Sequence, residues 1–424
     1  MKHSPFWVDD HPRPDRLTSE LPAETDYLIV GSGLTGLAAA LRLSTSGHTV
    51  TVIEAGEVAG GASSINGGMV SPDVKAGIRR VFELHGPEIG REMWDSTVRS
   101  VELVRDLATR PEVDALVHDN GLAALGRGKR QLEGLRTTLS WYRENLGVDW
   151  QLLTGNDVGR IVGGEHFDVA LFEPEGFGVH PARLAFGVAG EAVRSGAVLV
   201  DGCEAISVES TGTGHRVSTT RGIIDSATVI LATNGYTTSR PIETMSRLVV
   251  PVGSYIIVTE PIGAERAEEI FPGGVMTYTR RRLLHYMRRT HDDRILLGGR
   301  RSLHPGLDLD ESARDLRRAL VTYWPQLEEV PISHVWGGKL GVPFDLMPHI
   351  GRVGGAWYAM GYGGHGVGLA CQLGHELAGM LLGDDPPSVY SRIPHHGRFY
   401  YSGRNAWFLT PASYLYRVLD KVGI

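Results

Sequence analysis

Apolar positions along this chain fall into two rhythms. An unbroken apolar run at 27–30 suits a strand buried on both faces of a parallel sheet, helical spacing follows over 37–44, and a second strand is expected over 49–53. Ile89, Met93, Val101, Leu103, Val104 and Leu107 form an approximate helical stripe over 87–107. A strand or hairpin and a further helix, 132–145, follow. His180-Pro181 opens an amphipathic helix reaching 193, with proline in its first turn. Next come a strand over 197–209, a turn at 212–214, and a strand over 227–236 ending in small residues. From 240 to 335, alternating and β-branched runs separated by Pro, Gly or Asp predict antiparallel strands, interrupted by a helix at 312–323. The last unit is a short buried strand, 357–360, a glycine loop, and a helix bearing Leu369, Leu373, Leu377 and Leu381.

The order strand–helix–strand, then an antiparallel block, then strand–helix predicts an α/β protein. With 424 residues, 42% of them hydrophobic, two substantial cores are available. Net charge is −7, so no basic field points to nucleic acid or an anionic membrane. Two cysteines, Cys203 and Cys371, lack metal or disulfide-framework spacing and suit a reducing compartment. No apolar run is long enough to span a bilayer and no signal-peptide h-region is visible, so the expectation is a soluble, cytoplasmic protein. Four prolines make 1–25 an irregular extension, with Phe6 and Trp7 as its anchors.

The chemistry starts where the first strand ends. Gly31, Gly33 and Gly36 stand at G-x-G-x-x-G spacing between a strand and a helix. Gly31 permits the tight turn, Gly33 clears space for a pyrophosphate, and Gly36 lets the helix pack close. Leu34 and Thr35 open that helix, whose free N–H groups and positive end face an anion. Glu54 ends the next strand, followed by Ala55, and its carboxylate suits ribose hydroxyls. A dinucleotide site follows. The run 60–70, GGASSINGGMV, is a poor helix or strand, and a nicotinamide dehydrogenase has no need of a second glycine-rich loop there.

At this run the chain resembles the D-amino-acid oxidase and sarcosine/glycine oxidase family of flavoproteins, in which a GASGxNGG-like stretch contacts the flavin. Gly61, Ala62, Ser63, Ser64, Asn66, Gly67, Gly68 and Met69 carry that likeness; Ser64 stands where glycine is usual, and Ile65 at the variable position. The resemblance adds Ala205 and the turn Thr233, Asn234, Gly235, Tyr236 as FAD contacts. Trp336 onward, with Asp345, Pro348 and Gly351, resembles the family's W-x-G…D-x-x-P-x-I-G signature, and FDLMPHIG with GYGGHGV after it resembles the gamma-glutamylputrescine oxidoreductase-like branch. The N-terminal extension and the segment 407–423 agree with that branch. In Gly363, Gly364, His365, Gly366 and Val367 a helix start would face the flavin pyrimidine edge, where N–H donors stabilise charge on the reduced ring.

The resemblance implies a discontinuous Rossmann-type FAD-binding domain and an α+β substrate domain on a largely antiparallel sheet. The expected boundaries are an extension at 1–25, FAD-binding parts at 26–86, 179–239 and 335–384, substrate parts at 87–178 and 240–334, and a C-terminal extension at 385–424. It implies an FAD-dependent oxidase or dehydrogenase acting on a C–N bond of an amine or amino acid. Hydride passes to flavin N5, the imine hydrolyses, and O2 or another acceptor reoxidises the flavin. Non-covalent FAD is expected, because 340–344 has no cysteine and 60–70 has neither cysteine nor histidine. Candidates at the reacting centre are His365, Tyr362, Tyr286, Tyr278 and a buried Lys339. The last would assist oxygen reduction, while the two strand tyrosines would box an alkylamine. The basic residues 280–282, 288 and 289 are a candidate carboxylate site or a solvated strand face. Rival readings are an NAD-dependent dehydrogenase and a non-catalytic flavoprotein subunit of a larger complex.

Overall fold

Two eight-stranded sheets carry the structure, a computed structural model that describes residues 1–14, 18–300 and 302–422. Gly423, the end of the C-terminal segment, lies outside the described residues. In the first sheet Glu24–Val30 lies parallel between Val50–Ile53 and Gly222–Leu231. Val198–Val200 extends it on one side, and Ala356–Met360 with antiparallel His349–Val353 on the other. The apolar runs predicted this burial, since successive side chains leave a strand on opposite faces. Ile29 and Val52 pack under helices Leu34–Thr45, Pro181–Arg194 and Gly366–Leu382, whereas Leu28, Val30 and Val229 face a second core with Met245 and Val249.

The second sheet runs in the order Ile332–Val342, Val250–Thr259, Ile295–Gly299, Tyr286–Arg289, Met276–Thr279, Leu122–Gly126, Val169–Glu173, Gln151–Thr154. Every pair is antiparallel except Met276–Thr279 with Leu122–Gly126. One face, with Ile257, Met287, Leu297 and Ala123, buries against Leu316 and Leu320 of helix Leu309–Tyr323. The other face looks toward the first sheet's helices, and on it the cavity described below is built.

The structure departs from the expectations at several places, beginning with the extension 1–25, where Phe6–Asp10 is a short helix. The strand expected over 197–209 is two: Val198–Val200 joins the parallel sheet, Gly202 turns at φ +54°, and Ala205–Ser210 pairs with His215–Thr219. The turn is locked by Cys203 N–H donating to the Glu54 carbonyl at 2.8 Å and Gly202 N–H to the Gly56 carbonyl at 2.9 Å. The boundary expected at 335 cuts through Ile332–Val342, which belongs to the second sheet. The helix expected over 87–107 begins at Ile78 and kinks at Gly86, φ +84°. The run 60–70 contains one helical turn, Ala62–Ile65, and a strand, Met69–Val70, paired with Phe177–Gly178. Among the described residues no helix is long and apolar enough to cross a membrane.

Candidate active site

A cavity of about 880 Å³ runs between the two sheets, and its first end is the glycine turn after Val30. Gly31 takes φ +107°, and a Cβ there would lie 2.9 Å from the Ala232 carbonyl oxygen. A Cβ on Gly36 would lie 2.0 Å from the Gly31 oxygen, so only glycine lets the helix sit this close. Gly33 is the N-cap of Leu34–Thr45, and Leu34 N–H donates to Ser63 Oγ at 2.9 Å. Glu54 Oε2 accepts from Ser32 N–H at 3.0 Å and Ser32 Oγ–H at 2.9 Å, and Oε1 from Gly56 N–H at 3.0 Å. These bonds aim the carboxylate beside the helix start.

Gly31, Gly33, Leu34, Thr35, Glu54 and Ala55 line the cavity, as do Gly61, Ala62, Ser63, Asn66, Gly67 and Met69. Ala205, Thr233, Asn234 and Tyr236 line it too, as do Gly363, Gly364, His365, Gly366 and Val367. Gly36, Ser64, Gly68 and Gly235 stand behind its wall. Ser64 is fully buried and donates to the Ala59 carbonyl at 2.7 Å; Gly68, at φ +69°, sits against the Val179 carbonyl and Arg288; Gly235 packs on the backbone of Leu340 and Gly341. Each is a shape-holding contact.

The loop 65–68 is pinned from three directions. Trp336 Nε1–H donates to the Ile65 carbonyl at 2.7 Å, Trp7 Nε1–H to that of Asn66 at 2.9 Å, and Arg288 to that of Gly68 at 3.0 Å. Arg288 is buried, and burial holds its pKa down to about 10. Arg289 instead pairs with Asp293 and Glu268, Arg281 and Arg282 are exposed, and Arg280 alone of the five basic residues lines the cavity.

At the C-terminal glycine loop, Tyr362 Oη and Thr35 Oγ1 share a hydrogen bond of 2.6 Å, and burial pushes the phenol's pKa up. His365 caps Gly366–Leu382 with no side-chain cap bond; burial, then the Lys75 charge, pushes it down to about 4, so the ring is neutral. Lys339 is exposed on the cavity wall with Nζ 5.5 Å from the Tyr236 ring centre, contrary to the expected burial. The lysine more withdrawn from water is the half-buried Lys75, which burial and then Arg300 bring down to about 8.

The rest of the wall is one face of the second sheet. Trp336, Ile256, Gly298, Tyr286, Tyr278, Ala124 and Leu171 lie in one register row. Two residues along their strands, on the same face, stand Ser254, Leu122 and Glu173. The Tyr286 ring lies between Gly298 and Gly67, where added Cβ atoms would come within 2.0 and 2.8 Å of it, and its hydroxyl is 3.3 Å from Ser254 Oγ. Tyr278 Oη–H donates to Glu173 Oε1 at 2.9 Å. Arg300 also lines the cavity, its Nε without a hydrogen-bond partner among the described residues. Sequence reasoning missed Lys75, Asp73, Tyr142, Glu173 and Arg300. Apart from Asp73 and Lys75 they lie on separate segments, and sheet register with the packing of helix Gly128–Leu146 brings them to one cavity.

The cradle fits a flavin dinucleotide: a glycine turn that Cβ atoms would fill, a helix start, an aimed carboxylate, and a second glycine loop at the mouth of another helix. Comparison with known proteins agrees. The family model described as "DAO: FAD dependent oxidoreductase" matches residues 26–380. Gamma-glutamylputrescine oxidoreductase of Escherichia coli (strain K12) is 28% identical over 403 residues, 94% of this chain and 93% of that protein. The crystal structure of glycine oxidase from Geobacillus kaustophilus matches 89% of this chain and all of its own (100%), with a TM-score of 0.75 and 21% identity. That of L-proline dehydrogenase from P. horikoshii matches 87% and 96%, with a TM-score of 0.70 and 20% identity. At those identities the two structures share the fold.

Proposed function

Because the chain belongs to the DAO family of FAD-dependent oxidoreductases, we propose that it oxidises a C–N bond of a small-molecule amine or amino acid. Bound FAD would supply the two-electron acceptor for hydride from the carbon beside nitrogen, with O2 or another compound as the final electron acceptor. The substrate is left as an imine, which water converts to a carbonyl compound and free ammonia or amine. The observation that supports this most is the continuous cavity, whose lining runs from Glu54 and the glycine turn to Tyr278 and Glu173 on the second sheet.

The chain's own residues divide the work. Gly31, Gly33 and the start of Leu34–Thr45 would hold the pyrophosphate, and Glu54 the ribose. Loop 65–68 and the turn 363–367 would flank the ring system, the latter aiming a helix start at the edge where negative charge develops. Tyr286 and Tyr278 present aromatic walls to an alkyl chain and exclude water. His365 is neutral and orients rather than protonates; Tyr362, tied to Thr35, shapes the wall. Attachment of the flavin is non-covalent in this reading: Cys371 is buried and does not line the cavity, and Cys203 lies among the residues around Glu54, at the ribose end. Two free thiols also favour a cytoplasmic setting.

Anaerobic mixing of yellow holoenzyme with a panel of amines and amino acids tests the proposal. Bleaching of the flavin by at least one member of the panel is expected. A protein purified without flavin, or a flavin that no C–N compound bleaches, would overturn it. Acid precipitation should leave the colour in the supernatant.

A further inference from the structure

The cavity end remote from Glu54 is a recess of acids and aromatic rings that flavin binding does not use. Glu173 is only 4% exposed, on the sheet face. Its Oε1 accepts from Tyr278, and among the described residues no group donates to Oε2. Asp73 enters from the opposite wall. Its Oδ1 accepts from Val74 N–H at 2.7 Å and Ile78 N–H at 2.8 Å, and its Oδ2 from Tyr142 Oη–H at 2.6 Å. Glu175 accepts from Trp150 Nε1–H at 2.9 Å. The Tyr142 and Trp150 rings stack with centres 4.7 Å apart, and both line the recess with Tyr278. Tyr278, Asp73 and Glu175 act on Glu173, Glu173 acts on Tyr142, and Arg280 acts on Tyr278; among the described residues no cation forms an ion pair or hydrogen bond with Glu173 or Asp73.

Buried carboxyls without a cation are costly, and aromatic faces add attraction for one. We infer that this recess receives an ammonium group of the substrate, held by Glu173 between Tyr278, Tyr142 and Trp150, and that this nitrogen is not the one oxidised. The substrate class is then an amine with a second, protonated nitrogen at the far end of an alkyl chain. The inference rests on the amine-oxidation reading above.

Two observations separate the nitrogens. An ionised carboxylate favours N–H⁺, whereas the reacting nitrogen must offer its lone pair. The sheet also places them apart. Tyr286, whose ring lies against Gly67 of the cofactor loop, is three strand steps from Glu173, about 14 Å at roughly 4.8 Å per step. Tyr278, Ala124 and Leu171 fill the span, an apolar and aromatic wall suited to methylenes. Burial, reinforced by Asp73 and Glu175 and opposed by the Tyr278 hydrogen bond, pushes Glu173 up to about 8. Near neutrality the empty recess is thus largely protonated, and an arriving ammonium displaces that proton to solvent.

Calorimetry of the oxidised holoenzyme with tert-butylammonium, which has no α C–H to oxidise, reads the recess without turnover. Saturable binding is expected, releasing about one proton at pH 7 when two buffers of different ionisation heat are compared. Glu173→Gln should weaken it about 10- to 100-fold, the loss of one charge-assisted contact, with flavin content and melting temperature retained. Anaerobic flavin reduction by α,ω-diamines and n-alkylamines of matched length then reads the class. Diamines should half-saturate at about tenfold lower concentration, and Glu173→Gln should erase that advantage by weakening diamines about tenfold more than monoamines. Binding without proton release, binding untouched by Glu173→Gln, or equal loss for both amine series would overturn the inference. Should tert-butylammonium bind through Glu173 while no amine bleaches the flavin, the ammonium site stands, and both amine oxidation and the second-nitrogen assignment fall.

Discussion

The two ends of the cavity recognise charge in opposite ways. At the glycine turn, recognition is by backbone: N–H groups at a helix start, two glycine loops, and one carboxylate, most of it from the single stretch 31–69. At the recess it is by side chain: Asp73, Tyr142, Trp150, Glu173 and Tyr278 come from five segments spread over about two hundred residues. A backbone site binds one conserved chemical shape and leaves few side chains free to vary. A side-chain site on a sheet face can change its ligand by single substitutions without disturbing the strands beneath it. The difference predicts that substitutions at the first end remove cofactor or fold, and that those at the second alter what binds.

Gly36→Val should break the comparison most severely. Its Cβ would lie 2.0 Å from the Gly31 carbonyl oxygen, so helix and strand must separate. Colourless, largely insoluble protein is expected, with a loss of about 3 kcal/mol or more; a yellow, normally melting variant would show that this turn does not carry the dinucleotide.

Trp7→Ala tests whether the cradle is as local as it looks. Trp7 is 1% exposed and ties the N-terminal extension to the Asn66 carbonyl. A loss of about 3–5 kcal/mol is expected from the cavity alone, seen in denaturant unfolding of the apoprotein. Flavin affinity should fall with it, while Trp7→Phe, which removes the donor and keeps most of the volume, should mainly cost flavin.

Lys75→Met probes the wall between the two ends. The folded pKa, about 8, lies below the ordinary 10.5, so the unfolded chain binds the proton more tightly. The native protein carries that penalty fully below about pH 8 and sheds it as pH rises toward 10.5. The apoprotein variant should therefore melt above wild type at pH 7, by at most about 3 kcal/mol, and the gap should close between pH 8 and 10.5. A gap independent of pH would place the lysine in water.

Smaller effects sharpen the comparison. Glu54→Gln keeps one acceptor oxygen and loses the other to an NH2 donor, so flavin binding should weaken only about 5- to 10-fold in equilibrium dialysis, without loss of fold. Tyr278→Phe removes one donor to Glu173 and nothing from the cradle. Flavin content should be unchanged, and tert-butylammonium binding should weaken about two- to fivefold as the carboxyl becomes harder to ionise.

The sequence by itself determined the parts whose geometry is local. Gly36 must be glycine because the Gly31 carbonyl, five residues away, leaves no room for a Cβ, and Gly31 because the turn takes φ +107°; such demands appear as residue types at fixed spacing. The apolar run at 27–30 likewise announced a strand buried on both faces, and alternation over 240–335 announced the antiparallel sheet. Only the tertiary structure decided the rest. The strand expected over 197–209 breaks because Glu54 captures Cys203 from another element, and Ile332–Val342 joins the second sheet because Val250–Thr259 offers its edge. Lys75 is half-buried and Lys339 exposed because the C-terminal glycine loop closes over the former, Gly363 lying against its stem. Glu173 meets Tyr278 only because the parallel pairing of Met276–Thr279 with Leu122–Gly126 sets their register. No spacing encodes such a meeting: it depends on which strand edges find each other, and that is settled by burial of the whole sheet rather than by any residue's neighbours in the chain.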